Sequence, residues 1–319
     1  MYFASVDCGG TKTAFLMTDG LGKEVARCYL GPGNYLVTGL EETTDLINEG
    51  IENLCKQANI DKSEITMALI ASAGYSSNHK DPRYDEAAKR KYHFNYYVTG
   101  DVSNAMKGSL LNSEGIHLIA GTGSVGKGTD GKTVFPSIGG WGYYVGADEG
   151  GGYWIGSSLL RHFERQADGR EEKTLLYDYM FKKYNFKVDH DCLYLIIDTF
   201  ENKRDKIATV ALDVVELCKL GDPVAKQIMF DAGVELAKIA KAIYRRDHYK
   251  DPVTISYSGS VFKSIEYLRP GIEEELKDIP HNFCDPILRP LAGGIVLAME
   301  KANYEYNDEI INNLKKIAD

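Results

Sequence analysis

Apolar positions run through the chain with two periods. Residues 2–6 form an apolar, β-prone run, residues 14–17 form a second, and Asp19-Gly20 closes it, which predicts a β-hairpin. Residues 24–30 predict a third strand, followed by the loop Gly31-Pro32-Gly33-Asn34-Tyr35. From 39 to 59 the period changes, with Leu46, Ile47, Ile51, Leu54 and Cys55 at helical spacing. Residues 67–71 are continuously apolar, the pattern of a buried parallel strand, and run into a small-residue loop from Ser72 to Ser77. A polar helix carrying Asp85 and Arg90, a strand over 94–98 ending in Thr99-Gly100-Asp101, and a helix over 102–111 complete a β-β-β-α-β-α-β-α series.

The pattern begins again at residue 116. Residues 116–120 read as a strand, Gly121-Thr122-Gly123-Ser124 as a glycine-rich turn, and 125–128 with 132–137 as a hairpin around Thr129-Asp130-Gly131. This echo of the opening hairpin suggests duplication of one structural unit. Residues 138–154 then carry seven glycines and both tryptophans, a composition that suits a binding loop. Helical periodicity follows over 155–166, 173–183, 191–200, 207–220 and 223–246, with Asp222-Pro223 as a helix start. A strand over 253–257, a glycine turn at Gly259, a short strand over 286–288 and helices over 291–303 and 308–318 complete the chain. The class is α/β.

Composition narrows the function. The 319 residues suffice for two domains. A net charge of −9 without a long basic run argues against nucleic acid and anionic membrane surfaces as partners. No apolar run is long enough to span a bilayer, and the six cysteines lack C-x-x-C spacing, as expected of a cytoplasmic protein with reduced thiols.

Candidate chemistry lies in the glycine turns and strand ends. In Asp7-Cys8-Gly9-Gly10-Thr11-Lys12-Thr13, Gly9 and Gly10 let the backbone approach a ligand. Their N–H groups, the Thr11 and Thr13 hydroxyls and the Lys12 charge form either an anion site or an ordinary hairpin turn. Asp7 is placed to hold a hydrated Mg²⁺. Asp101, where a strand gives way to a helix, is either a helix N-cap or a base for a substrate hydroxyl. Gly121, Thr122 and Gly123 suit phosphates or a tight turn, and Gly259-Ser260-Val261 suits an adenine ring or a helix entry. Asp148 and Glu149 suit sugar hydroxyls, Mg²⁺ or a solvated loop; Trp141 suits a sugar face or the core; Asn34 and Ser72 are polar groups in loops.

Taken in order, Asp7 to Thr13, Thr99-Gly100-Asp101, Ile119 to Ser124, Gly139-Gly140-Trp141-Gly142, Asp148-Glu149-Gly150, Ser258 to Val261 and Leu291 to Gly294 resemble the N-acetylglucosamine kinase family. That family belongs to the sugar kinase, actin and heat-shock chaperone ATPase superfamily, with the BadF/BadG/BcrA/BcrD-type ATPases. The resemblance implies two ribonuclease H-like, actin-like ATPase domains flanking a nucleotide and sugar cleft. It implies a first domain over 1–115, a larger second over 116–303 with a helical insertion, and a C-terminal helix over 304–319 packing back on the first. It implies transfer of the γ-phosphoryl group of Mg-ATP to the 6-hydroxyl of an amino sugar by a homodimer. By position, Asp101 resembles the family's base and Asp7 its Mg²⁺-associated carboxylate. Gly10, Thr11 and Thr122 resemble its phosphate contacts, and Gly259, Ser260 and Val261 its adenosine segment. Asn34, Ser72, Gly140, Trp141 and Asp148 resemble its sugar pocket. One departure is Ala147, which precedes Asp148-Glu149 where the family runs directly from glycine into the acidic pair. It leaves the acceptor open between N-acetylglucosamine and a larger sugar such as N-acetylmuramic acid. The runner-up is an ATP-dependent activator of an acyl-CoA dehydratase or reductase, or a nucleotide sensor without phosphotransfer.

Overall fold

The computed structural model describes residues 1–10, 12–75 and 81–317; Ser76 and Ser77 of the expected small-residue loop lie outside them. The chain divides into two units, residues 1–113 with 285–319, and residues 114–284.

In the first unit, strands β1 (Tyr2–Cys8), β2 (Thr13–Asp19), β3 (Glu24–Leu30), β4 (Ile65–Ser72) and β5 (Tyr96–Gly100) form a sheet ordered β3-β2-β1-β4-β5. β1 to β3 are antiparallel, and β4 and β5 run parallel to β1. The strand period of two decides which helices each face holds. Ala4, Val6, Cys8, Phe15 and Met17 pack with Ile47, Ile51 and Leu54 of the helix Leu40–Ala58. Asn59 ends that helix in the left-handed conformation, at φ 53°. Phe3, Ala14, Leu16 and Leu69 pack instead with Leu291, Ile295, Val296 and Met299 of the helix Pro290–Lys301 and with Ile310 and Leu314 of the helix Asp308–Leu314. Each of the large apolar side chains so buried contributes on the order of 1.5–3 kcal/mol.

Two expectations are corrected here. The second domain was expected to reach residue 303, but Pro290–Lys301 belongs to the first unit, because its apolar stripe covers the second face of the first sheet. The strand expected over 286–288 is absent. Pro286 has no N–H to give a ladder, and the Ile287 and Leu288 N–H groups donate to Ser109 and Gly108 carbonyls at 3.3 and 2.8 Å.

The second unit repeats the topology. β6 (Glu114–Ala120), β7 (Ser124–Asp130), β8 (Ile138–Gly139), β9 (Val253–Ser258) and β10 (His281–Cys284) are ordered β10-β9-β6-β7-β8. β6, β7 and β8 are antiparallel, and β9 and β10 run parallel to the β6 direction. Reading outward from β1 and from β6, order and sense are the same in both sheets. The hairpin arm expected over 132–137 reduces to a single bridge, Thr129 to Val134, before β8 pairs with β7. Helices fill the stretch from Gly152 to Asp247. Asp222 caps the longest, Pro223–Asp247, accepting from the Ala225 N–H at 2.8 Å.

Candidate active site

In the first sheet Asp7, Ala71 and Thr99 stand in register on three adjacent parallel strands. Adjacent strands lie about 4.8 Å apart, so Asp7 and Thr99 are separated by roughly 10 Å of backbone. Asp101 follows two residues after Thr99, at the carboxyl ends of these strands, the edge where open α/β sheets bind ligands. Asp101 is not the cap of its helix. Gly100 occupies that position with φ −75° and ψ 154°, and Asp101 is the first residue of the helix Asp101–Leu110. Cys8, next to Asp7 on β1, is fully buried. Burial first, then the charges of Asp7 and Asp101, push its thiol well above the ordinary range, so it stays protonated.

The β1–β2 turn is closed by Gly9 N–H donating to the Lys12 carbonyl at 3.0 Å. A Cβ at Gly10 would have nothing within 4 Å, so that backbone faces open space. Lys12 is exposed, its ammonium 5.0 Å from the Tyr29 ring centroid. Thr11 lies outside the described residues. Thr13 does not face a ligand: it is fully buried and its hydroxyl donates to the Gly31 carbonyl at 2.9 Å. Asn34 caps a short helix, accepting from the Leu36 N–H at 3.1 Å. Ser72 is not in a loop; it ends β4 and is fully buried. Strand register turns it inward, which a reading of loop composition misses.

In the second unit the turn after β6 is fastened to the glycine-rich segment. Gly121 and Thr122 carbonyls accept from the Gly152 and Tyr153 N–H groups at 2.8 and 3.0 Å, and the Ser124 hydroxyl donates to the Glu149 carbonyl at 2.6 Å. Gly121 has no atom within 4 Å of where a Cβ would stand, whereas a Cβ at Gly123 would lie 2.6 Å from the Asp148 carboxylate. Asp148 itself is buried, in the left-handed region at φ 65°, and its carboxylate is bound by the Arg204 guanidinium. Arg204 was not anticipated: it comes from the helical stretch 56 residues away, and no periodicity marks it. Glu149 is exposed. Trp141 is not core; it is 84% exposed, as is Tyr144, and Gly140 beside it is exposed with φ 71°. Gly259 stands at φ 105°, and a Cβ there would run into the Ala120 backbone, with its carbonyl carbon at 2.6 Å. Ser260 is exposed and Val261 is buried.

In the first unit, open backbone at Gly10, the exposed Lys12 cation and the Asp7 carboxylate near a strand end, and in the second unit, by itself, open backbone at Gly121, are groups of the kind that phosphates or a hydrated divalent cation require. Among the described residues no three His, Cys, Asp or Glu side chains converge to cage a metal, so an ion here would complete its shell with water and phosphate oxygens.

The sequence pattern of the BadF/BadG/BcrA/BcrD ATPase family matches residues 5–298. The chain belongs to that family. Its relatives include an N-acetyl-D-glucosamine kinase of Dictyostelium discoideum, 28% identical over 76% of this chain and 79% of that one. An N-acetylmuramic acid/N-acetylglucosamine kinase of Clostridium acetobutylicum is also 28% identical, over 84% of this chain and 87% of that one. Among solved structures, a candidate N-acetylglucosamine kinase of Chromobacterium violaceum superimposes with a TM-score of 0.75 at 20% identity, covering 93% of this chain and 98% of that one. That likeness establishes the fold, two α/β units each built on a five-stranded mixed sheet. As a member of an ATPase family of this fold, the chain is an enzyme of ATP-dependent phosphoryl transfer. Among the described residues no helix is long and apolar enough to cross a membrane.

Proposed function

We propose that this protein is an ATP-dependent amino-sugar kinase acting on the 6-hydroxyl of N-acetylglucosamine or a related sugar such as N-acetylmuramic acid. ATP supplies the γ-phosphoryl group. Asp101 accepts the proton of the attacking hydroxyl, a contribution on the order of 10²–10⁴-fold. Asp7 holds Mg²⁺ through water. The Gly9–Lys12 and Gly121–Gly123 turns hold phosphates, and the exposed Gly259 and Ser260 receive the adenosine. On the acceptor side Asn34, Gly140 and Trp141 take the sugar, with Trp141 offering its ring to the sugar face, while the buried Asp148 carboxylate is turned to Arg204. Thr13 and Ser72 support the strands that carry these groups.

One observation carries the reading: Asp101 stands just past the carboxyl end of a parallel strand, as the first residue of a helix whose cap position is Gly100. The two kinase relatives support the acceptor class. ADP release with Mg-ATP, measured against N-acetylglucosamine, N-acetylmuramic acid, glucosamine, N-acetylmannosamine, glucose and no sugar, tests it. The expected result is strong stimulation by an N-acetylated sugar. ADP release that is indifferent to sugar would overturn it and favour an activator ATPase. The same reading makes the working form a cytoplasmic homodimer, which sedimentation of the purified protein checks.

A further inference from the structure

Arg204 has a place that nothing in the proposed chemistry yet uses. Its guanidinium binds the buried Asp148 carboxylate and lies 5.4 Å from the centroid of the Tyr143 ring. It is also packed against Gly123: a Cβ there would collide with Nη2. Only a glycine lets the guanidinium come so close to this turn. Its Nε is buried and has no hydrogen-bond partner among the described residues, although a third of the side chain remains accessible. Asp148, by contrast, is 3% accessible. So the carboxylate works inward, orienting the cation, while the cation keeps donors and an open side at the turn. A planar guanidinium oriented in this way suits bidentate contact with phosphate oxygens. An orphaned N–H donor is costly to bury, and an anion's oxygen would satisfy it.

We infer that Arg204 is a phosphate-binding residue of this enzyme, which reads the β- and γ-phosphates of the nucleotide from the Gly121–Gly123 turn, with Asp148 and Tyr143 as its positioning residues. The inference rests on the reading of that turn as a phosphate site, and the experiment separates the two.

Titration calorimetry of ATP, ADP and AMP is run on the wild type, Arg204→Met and Arg204→Lys, with thermal unfolding of each protein as a control. For the wild type, affinity rises from AMP to ADP. If the wild type binds AMP as tightly as ADP, the phosphate-site reading itself falls, and this inference with it. In Arg204→Met, ADP and ATP affinities drop roughly 10- to 100-fold, the value of a charge-assisted contact, while AMP affinity is unchanged. Arg204→Lys, which keeps a cation but not the fork, recovers part of the loss. Should Arg204→Met fail to fold, Arg204→Lys alone still decides, by weakening ADP more than AMP. An equal loss for all three nucleotides, or none, in a wild type that discriminates them would overturn the inference and leave Arg204 a structural partner of Asp148.

Discussion

His117 makes the second unit sensitive to acid, and the size of the effect can be worked out. It lies on β6, fully buried, with Nε2 2.9 Å from the Ser258 hydroxyl, and its Nδ1 has no partner among the described residues. Burial, which penalises the charged imidazolium, lowers its pKa to about 3. In the unfolded chain it titrates near 6.5. Between these values the unfolded state binds one more proton than the folded state, so stability rises with pH and is lost as pH falls below about 6.5. At pH 5 the loss is about 2 kcal/mol, and it grows by about 1.4 kcal/mol for each further unit down to pH 3. Both tryptophans, Trp141 and Trp154, lie in this unit, and Trp154 packs against its core. Urea unfolding followed by tryptophan fluorescence therefore reports on it directly. The comparison is between wild type and His117→Gln at pH 7, 6 and 5, read as slope rather than level, since the variant shifts stability at every pH. The wild type should lose about 2 kcal/mol more than the variant between pH 7 and pH 5. Parallel pH profiles would refute the reasoning and mean that His117 is solvated or paired.

Three further perturbations follow from the structure. Asp101→Asn should lower kcat by on the order of 10²–10⁴-fold with nucleotide affinity unchanged, checked by sugar-dependent ADP release and calorimetry. Gly259→Ala should destabilise by more than about 2 kcal/mol and weaken adenine nucleotide binding, because its φ of 105° and the overlap with Ala120 both disfavour a side chain; chemical unfolding and nucleotide titration read this. Asp213→Ala should cost about 2–4 kcal/mol in urea unfolding, since the Tyr179 and Tyr184 hydroxyls, at 2.8 and 2.5 Å from its carboxylate, would lose their acceptor.

What the sequence made legible follows from the range of the forces involved. Strands with continuous or alternating apolar positions, such as β1, β2, β3 and β4, declared themselves locally, as did the Asp222-Pro223 helix start. The two glycine turns were visible because glycine pairs beside strands are a local signal. Which sheet face receives the helix Pro290–Lys301 was not visible, because its apolar stripe fits either unit and only packing against Phe3 and Leu16 decides. Thr13 and Ser72 looked like loop polar groups, yet strand register turns both inward. The distinction between Asp101 and Gly100 as helix cap rests on one pair of dihedral angles. Arg204 carried no signal at all, since a pairing across 56 residues leaves no periodic trace.

The most direct test of the account is to identify the product. The protein is incubated with Mg-ATP and N-acetylglucosamine, and separately with N-acetylmuramic acid, and phosphorus NMR locates the transferred group. The account predicts a phosphate coupled to the protons on carbon 6 of the sugar, formed in step with ADP and abolished in Asp101→Asn. Inorganic phosphate as the sole phosphorus product beside ADP, with the sugar recovered intact, would contradict it.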